Sequence, residues 1–252
     1  AVPGSAFEIR GNGEMFPVNG PQWSLFFEYI GNVLYALVMR RMPDKVLFAV
    51  TALFGVLLGG GALLDISGYY HLGVGWTLAD HNFVGGMLRM LFSFSTGLCM
   101  ARVFRPVKVR GAFWICALAV VVLLSLPYAG TADMPWLNAL YDVACIVLVF
   151  PVLVWIGASG TTTDRRSSGI CKFLGDISYP VYAVHYPLMY LFYAWVWSEG
   201  LSFADSWPVA LAVAAASILI AWLSLRFYDE PVRRRLTRRF LSGRKEAARA
   251  VA

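Results

Sequence analysis

The chain alternates long apolar runs with short polar connections, and the runs are apolar on every face, not along one stripe. A helix of a soluble globule keeps one polar face. A stretch of about 18 to 22 residues without one has the length that crosses a hydrocarbon core. Such runs predict transmembrane helices at roughly 22–39, 46–64, 83–101, 112–129, 137–156, 174–196 and 207–227. The expected fold class is all-α, a polytopic integral membrane helical bundle of about seven transmembrane helices. A segment 1–21 precedes the transmembrane domain 22–227, and a basic tail 228–252 follows it.

The connections settle an orientation. Arg40, Arg41 and Lys45 fill one loop, Arg102, Arg105, Lys108 and Arg110 the next but one, and Arg165, Arg166 and Lys172 a third. The tail adds Arg233, Arg234, Arg235, Arg238, Arg239, Arg244, Lys245 and Arg249. The alternate loops, 65–82, 130–136 and 197–206, hold no Lys or Arg, but do hold Asp65, Asp80, Asp133, Glu199 and Asp205. The positive-inside rule then makes the C-terminus cytoplasmic and puts 1–21 outside.

Composition narrows the class further. With 59% hydrophobic and 14% charged residues and a mean hydropathy of +0.63, a water-soluble globule is excluded. The net charge of +6 lies almost wholly on one face, where it attracts anionic lipid headgroups, so membrane lipids and not nucleic acid are the expected partner. Cys99, Cys116 and Cys145 fall within spans and Cys171 at the cytoplasmic end of the sixth, which predicts free thiols. The chain opens Ala1-Val2-Pro3-Gly4-Ser5, without an initiator Met, a basic leader or an apolar leader core. An outside start then implies preceding spans, so upstream helices are expected.

Ionisable groups within spans mark functional candidates, and there are five: Glu28, Arg89, Asp142, Asp176 and His185. Glu28 and Arg89 both lie about two turns in from the outer face, so an ion pair between them is expected, serving either a site or the locking of two helices. Ser24, Glu28, Asn32 and Tyr35 recur at helical spacing and make one polar stripe. Such a stripe faces the bundle interior or a wet cleft, with helix–helix bonding as the plainer alternative. In the sixth span, which contains Pro180 and Pro187, Ser178, Tyr182 and His185 share a face. His185 there is either a packing residue or a proton-handling one.

Four segments resemble the acyltransferase family 3 membrane O-acyltransferases. Asn19-Gly20-Pro21-Gln22-Trp23-Ser24-Leu25-Phe26-Phe27-Glu28 is similar to that family's "NGPLWSLxxE" helix entry, and Leu174-Gly175-Asp176-Ile177-Ser178-Tyr179-Pro180 through His185 and Pro187 to "LGxISYxxYLxHxP". Leu88-Arg89 with Phe94, Gly97 and Arg102 resembles the "RxxxxFxxG" span, and Arg226-Phe227-Tyr228-Asp229-Glu230-Pro231-Val232-Arg233-Arg234 the closing "fxExPxrr" stretch. The resemblance covers Asn19 to about Arg239 and implies a fold of about ten helices, of which this chain supplies the last seven.

What the resemblance implies is transfer of an acyl group, expected to be acetyl, from acyl-CoA to a hydroxyl of a cell-surface or exported glycan or glycolipid. The setting would be a bacterial inner membrane, with acyl-CoA as a donor substrate and no permanently bound cofactor. Glu28 and His185 are the expected catalytic residues, and Trp23, Ser24, Asn32, Arg89, Ser178, Tyr179 and Tyr182 the expected substrate-binding ones. The family's Arg and catalytic His on its first helices have no counterpart here, since the histidines are His71, His81 and His185. The chain is therefore expected to be an incomplete C-terminal portion. The loop carrying Tyr69, Tyr70, His71, Trp76, Asp80 and His81 suits a headgroup-level aromatic belt or a sugar platform, and no metal is expected there. A transporter or flippase for a lipid-linked sugar is the alternative, and it predicts paired broken helices or inverted repeats.

Overall fold

The structure, a computed structural model, describes residues 13–160 and 165–240, apart from the side chains of Asp80 and Arg165. The outer part of the N-terminal segment and the end of the basic tail lie outside the described residues. Nine α-helices follow one another among those described: α1 (Gln22–Leu37), α2 (Asp44–Leu63), α3 (Asp80–Val103), α4 (Ala112–Ser125), α5 (Trp136–Ala144), α6 (Phe150–Ala158), α7 (Arg165–Ser198), α8 (Phe203–Ser224) and α9 (Glu230–Phe240). Two isolated bridges, Glu14–Thr77 and Val109–Gly160, are the extent of extended pairing among the described residues.

Each predicted span falls on a helix, and the protein is a helical membrane bundle. Asp44–Leu63, His81–Val103, Trp136–Ala158 and Phe203–Phe240 are long and apolar enough to cross a bilayer by length and composition. α1 and α4 are shorter, with 16 and 14 residues, while α7 has the length, 34 residues, but carries the polar positions of the sixth span. Pro21, Pro43 and Pro135 stand immediately before α1, α2 and α5, where a missing N–H breaks no helical bond.

Proline also explains two irregular turns. Cys145–Val149 joins α5 to α6 as a π-helical turn, and Leu225–Asp229 joins α8 to α9 in the same way. Each turn ends two residues before a proline, Pro151 or Pro231. A proline cannot donate to the carbonyl four residues back and its ring crowds that carbonyl, so the helix widens locally. Accordingly the N–H of Phe150 reaches back to the Cys145 carbonyl, and that of Glu230 to Leu225. Both helices stay continuous through the turn, unlike the broken helices a transporter would require.

The chain divides into two units, Ala1–Ser167 and Ser168–Ala252. The first is built on α1, α2 and α3. Glycines let them approach: a Cβ at Gly55 would lie 3.0 Å from the Phe92 ring and one at Gly31 2.8 Å from the Met90 sulfur, while one at Gly59 would lie 3.1 Å from Val143 of α5. Leu58, Ala62, Leu72, Phe92 and Ala139 make one core cluster, and Met15, Phe16 and Phe27 another.

The two ends of α1–α3 are sorted by charge. At the basic end, Arg102 at the close of α3 donates to the Met42 and Met39 carbonyls at 2.7 and 3.1 Å and pairs with Asp44 at 2.7 Å. At the other end residues 64–79 fold over the helices. Tyr70 N–H donates to Asp65 Oδ1 at 2.6 Å, Gly75 N–H to Asn82 Oδ1 at 2.7 Å, and Met15 N–H to the Trp76 carbonyl at 2.8 Å.

In the second unit α7 contains Pro180 and Pro187. These withdraw the N–H groups that the Asp176 and Ala183 carbonyls would receive within the helix. α8 and α9 form one helical stretch from Phe203 to Phe240.

Candidate functional site

The first unit places four of the expected residues around one pocket of about 400 Å³, lined by Trp23, Ser24, Phe27, Glu28, Arg89, Met90, Ser93 and Phe94. α1 buries Phe27 and Gly31 against α3. The polar stripe one position along this helix therefore lies at the edge of the contact and not inside it. Ser24 donates to the Pro21 carbonyl at 3.1 Å, and Asn32 to the Glu28 carbonyl at 3.0 Å. Glu28 and Asn32 are exposed, and Asn32 and Tyr35 lie outside the pocket. Of the stripe, Ser24 and Glu28 border the open pocket, while the adjoining face packs closely at Gly31, where a Cβ would lie 2.8 Å from the Met90 sulfur.

Arg89 is held differently from the expectation. Its Nη1 donates to the Val74 carbonyl at 3.0 Å, and its guanidinium carbon sits 5.0 Å from the centre of the Trp23 ring. No Glu28–Arg89 ion pair forms among the described residues. The folded loop offers a carbonyl and α1 offers an aromatic face, and these two contacts hold the guanidinium at the pocket. Glu28 lines the same pocket from α1.

A second pocket, of about 360 Å³, shares Arg89 and Ser93 with the first and continues along α3 past Thr96 and Gly97 to Met100, with Ile146, Phe150, Pro151 and Val154 as its other wall. Arg89, Ser93, Thr96 and Gly97 are spaced for one helix face. Thr96 Oγ1 is buried with no hydrogen-bond partner, and a Cβ on Gly97 would meet nothing within 4 Å. The π-helical turn contributes Ile146. Ser93, Thr96 and Val74 were not among the expected site residues. The positions of Ser93 and Thr96 after Arg89 were readable as a polar face, whereas a loop carbonyl carries no signal in sequence.

In the second unit His185 Nδ1 lies 2.9 Å from the Val181 carbonyl and 3.1 Å from that of Tyr182. Carbonyls only accept, so Nδ1 carries the proton and neutral His185 keeps an unprotonated Nε2. The ring packs edge-on against Tyr186, 5.5 Å between centroids, and at 6.2 Å from Tyr182. Ser178 donates to the Gly175 carbonyl at 2.9 Å, Tyr179 is exposed, and Asp176 pairs with Lys172 at 2.7 Å near the start of α7. Asp142, in the first unit, accepts from the Leu72 N–H at 3.4 Å.

His71 has the opposite tautomer: Gly73 N–H donates to its Nδ1 at 2.8 Å, which leaves the proton on Nε2. Tyr69 stacks on it at 5.5 Å. With His81 and Ser67 it borders an otherwise apolar pocket of about 210 Å³ between α2 and α3. Among the described residues no group of three His, Cys, Asp or Glu side chains is placed to hold a metal ion.

No curated protein and no solved structure matches the chain. A family model described as an acyltransferase domain matches residues 2–226. That span takes in the Trp23–Arg89 pocket, the Gly97 pocket and His185, and the protein belongs to the acyltransferase family 3 membrane proteins.

Proposed function

We propose that this membrane acyltransferase moves an acyl group, acetyl in the first instance, from acyl-CoA to a hydroxyl of a cell-surface or exported glycan or glycolipid. It does so in a bacterial inner membrane with its C-terminus in the cytoplasm. The observation that carries the reading is the pocket between α1 and α3, where an indole, a fixed guanidinium and a carboxylate surround one opening. A sugar presents an apolar ring face and a rim of hydroxyls. Trp23 suits the first, and Glu28 and Ser24 suit the second.

The chemistry is a balanced exchange. The acceptor O–H loses its proton to a base, its oxygen attacks the thioester carbonyl carbon, and a tetrahedral oxyanion forms. The C–S bond then breaks, and the CoA thiolate leaves to take up a proton. Arg89 is the cation for the oxyanion or for an anionic substrate group. Glu28 orients the acceptor hydroxyl. His185, with Nδ1–H held by two carbonyls, offers Nε2 as a base. The Gly97 pocket, continuous with Arg89 and Ser93, suits the slender acyl-bearing end of the donor. Acyl-CoA is here a substrate, and membrane lipid is the medium in which the acceptor arrives.

Membranes carrying the full gene product, incubated with radiolabelled acetyl-CoA, should pass label to a glycan or glycolipid fraction. His185→Ala should lower that rate by about ten- to a thousandfold with normal membrane insertion, and Glu28→Gln should lower it as well. Wild-type turnover in His185→Ala would return the histidine to helix packing. Absence of label from every glycan and lipid fraction of wild-type membranes would overturn the donor and acceptor assignment.

A further inference from the structure

The basic end of the second unit carries a pocket apart from the residues given roles in acyl transfer above. Lys172 and Asp176 of α7 form one wall, and Glu230, Arg233, Arg234 and Arg238 of α9 form the other, with Thr237 between the arginines. Its volume is about 550 Å³. The α9 residues fall at the first, fourth, fifth, eighth and ninth positions of that helix, so they make one face. Arg235 and Arg239 lie off it, and Leu236 and Phe240 are exposed.

The wall sets Lys172, Arg233, Arg234 and Arg238 beside Asp176 and Glu230. Asp176 is taken by Lys172 at 2.7 Å, and Glu230 by Arg234 at 3.0 Å and Arg226 at 3.2 Å. Arg233 pairs with Asp229 at 2.8 Å. A carboxylate contact uses part of a guanidinium fork of five N–H groups, so Arg233 and Arg234 keep donors for another acceptor while their carboxylates hold them in place. Lys172 has its pKa raised, chiefly by the Asp176 hydrogen bond and further by the Asp176 and Glu230 charges, so it stays protonated. A hydroxyl flanked by forked cations matches an anion with several acceptor oxygens on one centre better than it matches a single carboxylate.

Depth fits as well. The charge-free stretch from Ser206 to Leu225 is about 20 residues, the length of the hydrocarbon core. At a rise of 1.5 Å per residue, Glu230 to Arg238 would then lie roughly 7 to 20 Å beyond that core, across the headgroup layer and the adjoining water.

We propose that the face of α9 bearing Arg233, Arg234 and Arg238, together with Lys172 of α7, binds a phosphate-bearing anion, either the headgroup of an anionic phospholipid or the phosphate of a soluble compound. The site does not depend on acyl transfer and is tested without it. The full gene product in a neutral detergent is titrated with dioctanoyl phosphatidylglycerol, with inorganic pyrophosphate, and with dioctanoyl phosphatidylcholine as the zwitterionic control. Arg234→Gln/Arg238→Gln should weaken binding about tenfold. Arg235→Gln/Arg239→Gln, which removes the same charge from outside the pocket, should weaken it less than about threefold. Lys172→Gln, on a different helix, should also weaken it several-fold, and it keeps the test open should the arginine double variant fail to fold. Binding of phosphatidylglycerol alone assigns the lipid source, and binding of pyrophosphate alone the soluble one. The proposal is overturned if neither probe binds, if phosphatidylcholine binds as well as phosphatidylglycerol, if both double variants weaken binding equally, or if Lys172→Gln binds as wild type.

Discussion

Two glycines of α3 show how differently the same residue is used. A Cβ on Gly86 would lie 2.7 Å from the Gly75 Cα and 2.7 Å from the Phe27 ring. Gly86 is therefore a point of close backbone approach beneath the Arg89–Val74 contact. A Cβ on Gly97 would meet nothing within 4 Å, although a mid-helix glycine is less favourable than alanine by roughly 1 kcal/mol. Packing does not require that glycine, but an open pocket does. Gly86→Ala should lower stability by about 1 to 3 kcal/mol, and Gly97→Ala should raise it by up to about 1 kcal/mol, both read by thermal unfolding in detergent. Gly97→Leu should keep the fold and depress acyl transfer. Full activity in Gly97→Leu would remove the donor role of that pocket.

At the scale of elements, Arg102 ties the end of α3 to the α1–α2 connection and the start of α2, because the short turn Met39–Arg41, Met42 and Asp44 present carbonyls and a carboxylate to it. Its side chain is 24% exposed, so these bonds are only partly screened. Arg102→Ala should cost about 2 kcal/mol, and Arg102→Lys should recover only part of it, since an ammonium cannot span both carbonyls and Asp44 as the fork does. Equal stability of Arg102→Ala and the wild type would show that water replaces the fork without loss. Each π-helical turn precedes a proline, Pro151 or Pro231, yet Pro180, Pro187 and Pro208 lie inside helices that stay α-helical, so a proline alone does not locate such turns. The hydropathy pattern could not show them, because widening one turn leaves the run of apolar residues unchanged.

For the whole molecule, orientation is the property open to test. Cys171 is partly exposed at the basic end of α7. It should react with a membrane-impermeant maleimide from the cytoplasmic side only, whereas Asp133→Cys and Asp205→Cys should react from outside. Reversed labelling would overturn the proposed orientation. The sorting of α1–α3 agrees with the alternation of loops, since residues 13–16 meet 76–77 at one end and Met39, Asp44 and Arg102 meet at the other.

The amino-acid sequence by itself determined the helices, their order, the membrane class and, through four motifs, the family. Those properties are local or additive: hydropathy over a window, charge per loop, and residue types at fixed spacing. Only the tertiary structure decided which polar groups meet. Arg89 and Glu28 have matching depths in sequence, yet the guanidinium binds the Val74 carbonyl and the Trp23 face because the loop 64–79 folds back over α3. The open space beside Gly97 was set by the wall that Ile146 and Pro151 place opposite it. Partner choice depends on distances of a few ångströms between residues far apart in the chain, and no one-dimensional pattern encodes those distances.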